Sequence, residues 1–441
     1  MFAILWRRLL PVFLFAGLAG NVVRAETCHV KPDASSDTGG LSWTDAMTLQ
    51  AALAAPQCNQ VWVAAGIYKP TWSSDQSISF DVHPGVAVYG GFAGTESVRT
   101  QRDPAANITV LSGDIEDDDD AIGGIDATTD AIHGSNSYHV VTMDGTTGTR
   151  ITASTVLDGF VITGGQATAG APDNGGGGLY CNASSNPANE CDPTLSNLVF
   201  SGNLASTYGG ALFNWAIYGG SASPTLINVT FSGNRVYPAF GDTAYGGAIY
   251  NEGYGGVSSP TLINVTFNGN SSSGAGGAMY NDGYDGISSP VLTNVTFSGN
   301  TAVYGGAIFN SGVLGGVSRP ILTNVILWGD YVDAGGQGAE IYEDSASAQI
   351  SYSVVQGGCP SGSSCFAHLI SADPKLGPLQ DNGGFARTIA LGGNSPAIDA
   401  GSDASCPATD ERGIARPEGP HCDVGAYELV GLIFADSFES R

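Results

Sequence analysis

Between Gly113 and Ser137 the chain carries Asp114, Glu116, Asp117, Asp118, Asp119, Asp120, Asp126 and Asp130, eight carboxylates within 17 residues. Hard oxygen ligands in a flexible loop suit Ca²⁺. Asp114, Asp117, Asp118, Asp119 and Asp120 are the candidate ligands, and no other cofactor is required. The run has no EF-hand register, so a solvated acidic loop is the plain alternative. A second set recurs at intervals: Tyr218, Tyr254, Tyr284 and Leu314 each stand six residues before a repeated proline, with Glu252, Asp282 and Asp285 nearby. Aromatic faces stack on sugar rings and carboxylates accept from hydroxyls, so this stripe reads as a carbohydrate-binding edge. A stacked fold would also queue such aromatics for no reason but packing.

Catalysis has less to stand on. Glycoside hydrolysis needs two carboxylates at a set separation, and with 41 Asp and Glu in the chain a pair arises by chance. Lyase chemistry needs a calcium-held carboxylate with an Arg or Lys base, yet the repeated region has only Arg235 and Arg319 as cations. The histidines are spread along the chain and suggest no triad. The reading is a non-enzymatic protein that binds a matrix component or carbohydrate, in the manner of an adhesin. The alternative is a polysaccharide lyase or glycoside hydrolase.

What must position these residues is one phrase written five times: PTLSNLVFSGN from Pro193, PTLINVTFSGN from Pro224, PTLINVTFNGN from Pro260, PVLTNVTFSGN from Pro290 and PILTNVILWGD from Pro320. A shorter phrase alternates with it, GGALFN from Gly209, GGAIYN from Gly246, GGAMYN from Gly276 and GGAIFN from Gly305. The prolines are 31, 36, 30 and 30 residues apart, with one insertion around Tyr237 to Thr243. Such self-similarity means stacked units that cannot bury their apolar faces alone. The runs are short, rich in Val, Ile, Thr and aromatics, and bounded by Gly, Asn and Pro, so each unit is a coil of strands. Strict alternation in PTLINVTF would set Leu226 against Val229 and Phe231. With Asn228 as a left-handed bend, all three point inward. Stacking then queues Asn197, Asn228, Asn264, Asn294 and Asn324 in a ladder at about 4.8 Å per step. The fold class is all-β, a right-handed parallel β-helix, and roughly 30 residues per unit is short for a propeller blade.

GGAIYN alternating with FSGN resembles the GGA[ILV] and FxxN repeats of polymorphic outer membrane proteins, and more broadly the exported pectin-lyase-like β-helix proteins. The resemblance implies the fold and an extracellular or outer-membrane surface location; these repeats are scaffold and imply no activity. Clear repeats span 193–330 within a β-helix expected over 61–369. Residues 26–60 are expected to form an N-terminal cap whose helix runs from Ser42, capped with Asp45, to Pro56, with Ala46, Leu49 and Leu53 on one face. SWTDAMTLQAAL followed by VWVAAGIYKPT resembles the opening of many exported β-helix proteins. DPKLGPLQDNGG from Asp373, SPAIDAG from Ser395, DERGIARPEG from Asp410 and CDVGAYE from Cys422 resemble the choice-of-anchor Q domain. That likeness implies surface deposition of a loop-rich C-terminal cap over 370–430. Arg412 and Arg416, among Asp399, Asp410, Asp423 and Glu428, are expected to lock it by ion pairs.

Residues 1–25 read as a secretory signal: Arg7 and Arg8 precede the apolar run Leu9 to Ala19, and Val23-Arg24-Ala25 offers a cleavage site. That run is too short to span a bilayer and no later one reaches 18 apolar residues, so no transmembrane span is expected in the mature chain. Its removal leaves 12 Lys and Arg against 41 acids, a net charge of −29, which excludes nucleic acid as a partner and would repel a polyuronate. The tail 431–441 resembles the F-x-D-G-F-E endings of some exported proteins, with Ser437 in place of Gly, and is too short to supply a membrane barrel. Eight cysteines in an exported chain favour disulfides. Cys28 with Cys58, Cys181 with Cys191, Cys359 with Cys365 and Cys406 with Cys422 are the preferred pairs among 105 connectivities.

Overall fold

The computed structural model describes residues 26–37, 39–238 and 244–431. The expected signal segment, most of the insertion and the tail from 432 lie outside the described residues. Three parallel sheets of 16, 8 and 6 strands run the length of a right-handed β-helix. In each of the first four repeats one strand joins each sheet: in the second, Thr225–Ser232, Arg235–Val236 and Ile249–Glu252. The five phrases lie in register, Leu195 against Leu226, Leu262, Leu292 and Leu322 in turn.

The bend works as its residue type requires. Asn197, Asn228, Asn264, Asn294 and Asn324 have φ of 48° to 57°, a region Asn tolerates better than other residues with a Cβ. It turns Leu226, Val229 and Phe231 inward together, each fully buried. The rings of Phe200, Phe231, Phe267 and Phe297 pile face to face at 4.7–4.9 Å. The GG of the second phrase divides its labour. Gly246 sits at φ +70°, while a Cβ on Gly247 would overlap the carbonyl oxygen of Gly277 in the next coil, so neither position admits a side chain cheaply.

Two further ladders run through the interior. Asn203, Asn234, Asn270 and Asn300 each donate from Nδ2 to the Oδ1 of the next residue at 2.7–3.0 Å, ending on Asp330. Asn214, Asn251 and Asn281 do the same at 2.8 Å, ending on Asn310. The bend ladder itself is interrupted: Asn294 donates to the carbonyls of Asp423 and Gly425 rather than to Asn264.

The N-terminal cap differs from expectation. Only Leu49–Ala54 is α-helical, and Thr48 caps it, accepting the Ala51 N–H. Trp43–Asp45 is a separate 3₁₀ turn on which Ser42 makes no side-chain cap bond. Met47 is buried and its N–H donates to the His29 carbonyl, holding the chain extended at Ala46 and splitting the expected helix. Tertiary pairing therefore outweighs the capping signal.

All four neighbour pairs of cysteines are disulfide-bonded, and no cysteine among the described residues is free. The C-terminal cap, loop-rich but for the hairpin Leu376–Gln380 with Thr388–Leu391, folds back along the outer face of the longest sheet. The hydroxyls of Thr230 and Thr266 lie 2.7 and 2.6 Å from the two carboxyl oxygens of buried Glu411, and Ala426 N–H donates to Thr296 Oγ1. Arg412 pairs with Asp410 at 2.7 Å and Arg416 with Glu428 at 3.0 Å, all with side chains at most 6% exposed. These pairs hold the cap's loops to one another. Among the described residues no helix is long and apolar enough to cross a membrane.

Candidate ligand-binding face

With its longest sheet covered by the cap from Thr230 to Asn324, the helix has its second sheet as the broad face that carries aromatics. In GGA-x-aromatic-Asn a period of two turns the aliphatic residue and the Asn inward and the ring outward. Tyr180, Phe213, Tyr250, Tyr280, Phe309 and Tyr342 thus stack in register. Their neighbouring centroids are 4.7–5.7 Å apart. Tyr208 and Tyr245 lean against the column and leave its central rings, Tyr250 and Tyr280, 2% and 8% exposed. This column lies outside the residues expected to bind, though alternation in GGALFN carries its signal.

Two strand positions further sit Glu252 and Asp282, directly paired across neighbouring strands. The Tyr250 hydroxyl lies 3.0 Å from Glu252 Oε2 and 2.8 Å from Asp282 Oδ2. Burial, then the adjacent Asp282, push Glu252 up to about 8, and burial raises Asp282. Two like charges this close cannot both ionise freely. The Tyr250 hydroxyl has one proton to donate to the two carboxyls, so the pair favours keeping one proton of its own. The remaining oxygens accept the N–H groups of Tyr254 at 3.3 Å and Tyr284 at 3.0 Å. Both acids therefore support the edge above them and offer it no free oxygen.

On that edge Tyr218, Tyr254 and Tyr284 form a queue with centroids 5.3 and 5.1 Å apart and planes inclined by 65° and 63°. A face-to-face pile, like the buried phenylalanines, spends its ring faces on itself; an edge-to-face queue leaves them partly open. Tyr218 is 61% exposed and Leu314, one step beyond Tyr284, is 69% exposed. Asp285 is exposed at the turn beside Tyr284, at φ 49°. The structure thus gathers Tyr218, Tyr254, Tyr284 and Asp285 on one edge and turns Glu252 and Asp282 beneath it.

In the acidic loop, Asp114, Asp118 and Asp119 bring ligand oxygens within 4.8 Å of one another. Asp117 instead pairs with Lys69 at 2.6 Å and Asp120 with His133 at 2.9 Å, so these two expected ligands are drawn away. Lys69 also reaches Asp114 at 3.2 Å. The histidines are less scattered than their spacing suggests. His368 and His421 border one cleft of about 490 Å³ beside the cap, where Asp403 Oδ2, 2.7 Å from His421 Nδ1, raises that imidazole.

Residues 197–214, 228–252 and 294–311 match the family model of the Chlamydia polymorphic membrane protein repeat. No protein of curated function matches the chain. A solved structure, that of the pectate lyase Pel9A, aligns over 92% of this chain and 96% of its own at 13% identity and a TM-score of 0.43.

Proposed function

We propose that the chain is a non-enzymatic β-helix protein of the cell surface or extracellular medium that binds a glycan along the Tyr218–Tyr254–Tyr284 edge. The observation that carries this reading is the inclined queue of tyrosines, whose ring faces remain partly open at one edge of the stacked coils. The cap occupies the longest sheet from Thr230 to Asn324, so beside these coils a long ligand has this edge and the aromatic sheet. Four disulfides fit an oxidising compartment. The C-terminal likeness to choice-of-anchor domains supports surface deposition. A net charge of −29 in the mature chain favours a neutral polysaccharide over a polyanion.

Affinity electrophoresis against a panel of neutral polysaccharides tests the reading. Replacing Tyr254 and Tyr284 together by Ala is expected to weaken retention at least about tenfold, two lost stacking contacts at roughly 1 kcal/mol each. Unchanged retention by the folded double variant removes the edge as the binding site. One observation favours the enzymatic alternative: Glu252, pushed up to about 8 by burial and then by Asp282, keeps a proton at neutral pH, which only a break in its Tyr250 bond would free for a substrate. Release of reducing ends by the wild-type chain, abolished in Glu252→Gln, would select a glycoside hydrolase instead.

A further inference from the structure

We propose that the loop 113–137 holds one calcium ion, bound by carboxylate oxygens of Asp114, Asp118 and Asp119 and completed by the buried side-chain oxygens of Asp126 and Asn136. Calcium–oxygen distances of 2.3–2.6 Å place oxygens on opposite sides of the ion about 5 Å apart. The three carboxylates converge to within 4.8 Å, a span that fits around such an ion. Convergence of acids alone would be unremarkable on so acidic a chain, but two independent features lie beside it.

The first is Asn136, which is fully buried and touches the cluster directly. Its Nδ2 donates to Asp119 Oδ2 and to the Gly164 carbonyl, both at 2.7 Å, which fixes the amide's orientation. Its Oδ1 is left without a hydrogen-bond partner. The second is Asp126, also fully buried, whose Oδ1 is likewise unpartnered. Gly164 brings the three side chains together: a Cβ there would lie 2.6 Å from Asp126 Oδ2, 3.3 Å from Asn136 Nδ2 and 3.4 Å from Asp119 Oδ2. An orphaned buried acceptor costs about 1–3 kcal/mol, and a cation within reach of both Oδ1 atoms would satisfy the two at once.

The ligand set is oxygen throughout, without the His or Cys that zinc or copper would recruit. Several carboxylates with amide oxygen suit calcium's high and irregular coordination better than magnesium's strict octahedron. The ion would also fasten the loop to the coils. Asp126 N–H donates to Thr163 Oγ1 at 2.9 Å, and Ser201 Oγ donates to the Asp126 carbonyl at 2.6 Å, so one end of the site is already built into the helix wall.

Terbium provides the probe. The Trp72 ring lies 5.4 Å from Lys69 Nζ, which is itself 3.2 Å from Asp114, so an indole sensitiser stands close to the site. Full-length protein stripped with EDTA is expected to give saturable sensitised Tb³⁺ luminescence with one site per chain. Ca²⁺ should displace it, and Mg²⁺ should do so at least tenfold less well. Asp118 is exposed, so Asp118→Asn is expected to fold normally and weaken binding tenfold or more. Asp117→Asn and Asp120→Asn, at carboxylates paired elsewhere, are expected to leave it within about twofold. Absence of saturable binding, or equal losses in all three variants, would overturn the site in favour of diffuse attraction by the acidic run.

Discussion

Asn228, at φ 56°, and Asn270, fully buried, obey different physics although each belongs to a column of like residues. Asn228 is there for its backbone: it makes the bend that brings Val229 and Phe231 to the core side, and its amide adds a bond to Asn197 at 3.2 Å. Asn270 is there for its amide. Its Oδ1 accepts from both the N–H and the Nδ2 of Asn234, and its own Nδ2 donates to the Phe231 carbonyl and to Asn300. Glycine accepts a positive φ, so Asn228→Gly is expected to cost only about 1 kcal/mol. Asn270→Gly leaves two donors and a carbonyl dry in the interior, a loss expected at roughly 3 kcal/mol or more. Urea midpoints of the two variants check this. Equal shifts would mean that the inner ladder contributes no more than the bend.

The C-terminal cap meets the longest sheet through Glu411, whose burial pushes its carboxyl up to about 8. The folded protein therefore keeps a proton there that the unfolded chain releases near pH 4.5. Between these values unfolding releases a proton, so stability is greatest at the acid end and falls as pH rises toward 8. Melting temperature is expected to decline across that window and to lose much of the slope in Glu411→Gln, which retains partners for both threonines; an unaltered slope would place the titration elsewhere. The elements that make this contact also show what the sequence discloses. Register, bend and disulfide partners were readable because repetition fixes parity and cysteines fell in close pairs. The inner ladders were equally written, in FSGN and GGAIYN, but only the bend asparagine forced a choice about direction. The outward tyrosines of the same phrase follow from its alternation as well, whereas the convergence of His368 with His421 depends on how coils close, and no local pattern states that. The N-terminal helix departs from its local signal for the opposite reason. A good local signal at Ser42 yielded to the pairing of Met47 with Val30.

A stack whose units touch only their neighbours should tolerate the removal of a whole unit and no fraction of one. Excising Pro260 to Ser289 removes 30 residues and joins Ser259 to Pro290, restoring every column: Leu226 meets Leu292, Asn234 meets Asn300 and Asn251 meets Asn310. The cap has no such freedom. It grips the sheet at Thr230 and Thr266 through Glu411, at Asn294 and Thr296 through residues 423–426, and at Asn324 through the Ser402 N–H. Deleting this coil removes the hold at Thr266 and brings those at Thr230 and Asn294 one strand spacing, about 4.8 Å, closer together than the cap's own buried Arg416–Glu428 and Arg412–Asp410 pairs permit. The shortened chain is expected to keep a cooperative β-sheet signal by far-ultraviolet circular dichroism while residues 370–430 become cleavable under limited proteolysis. A 15-residue excision from the same point should abolish the β-sheet signal and leave the whole chain cleavable, because it removes the strands Thr261–Asn268 and Ser271–Ser272 of one coil and keeps its third, Met279–Asp282. If the 30-residue deletion fails to fold at all, the cap is needed to build the helix and the coils do not stand by neighbour contacts alone.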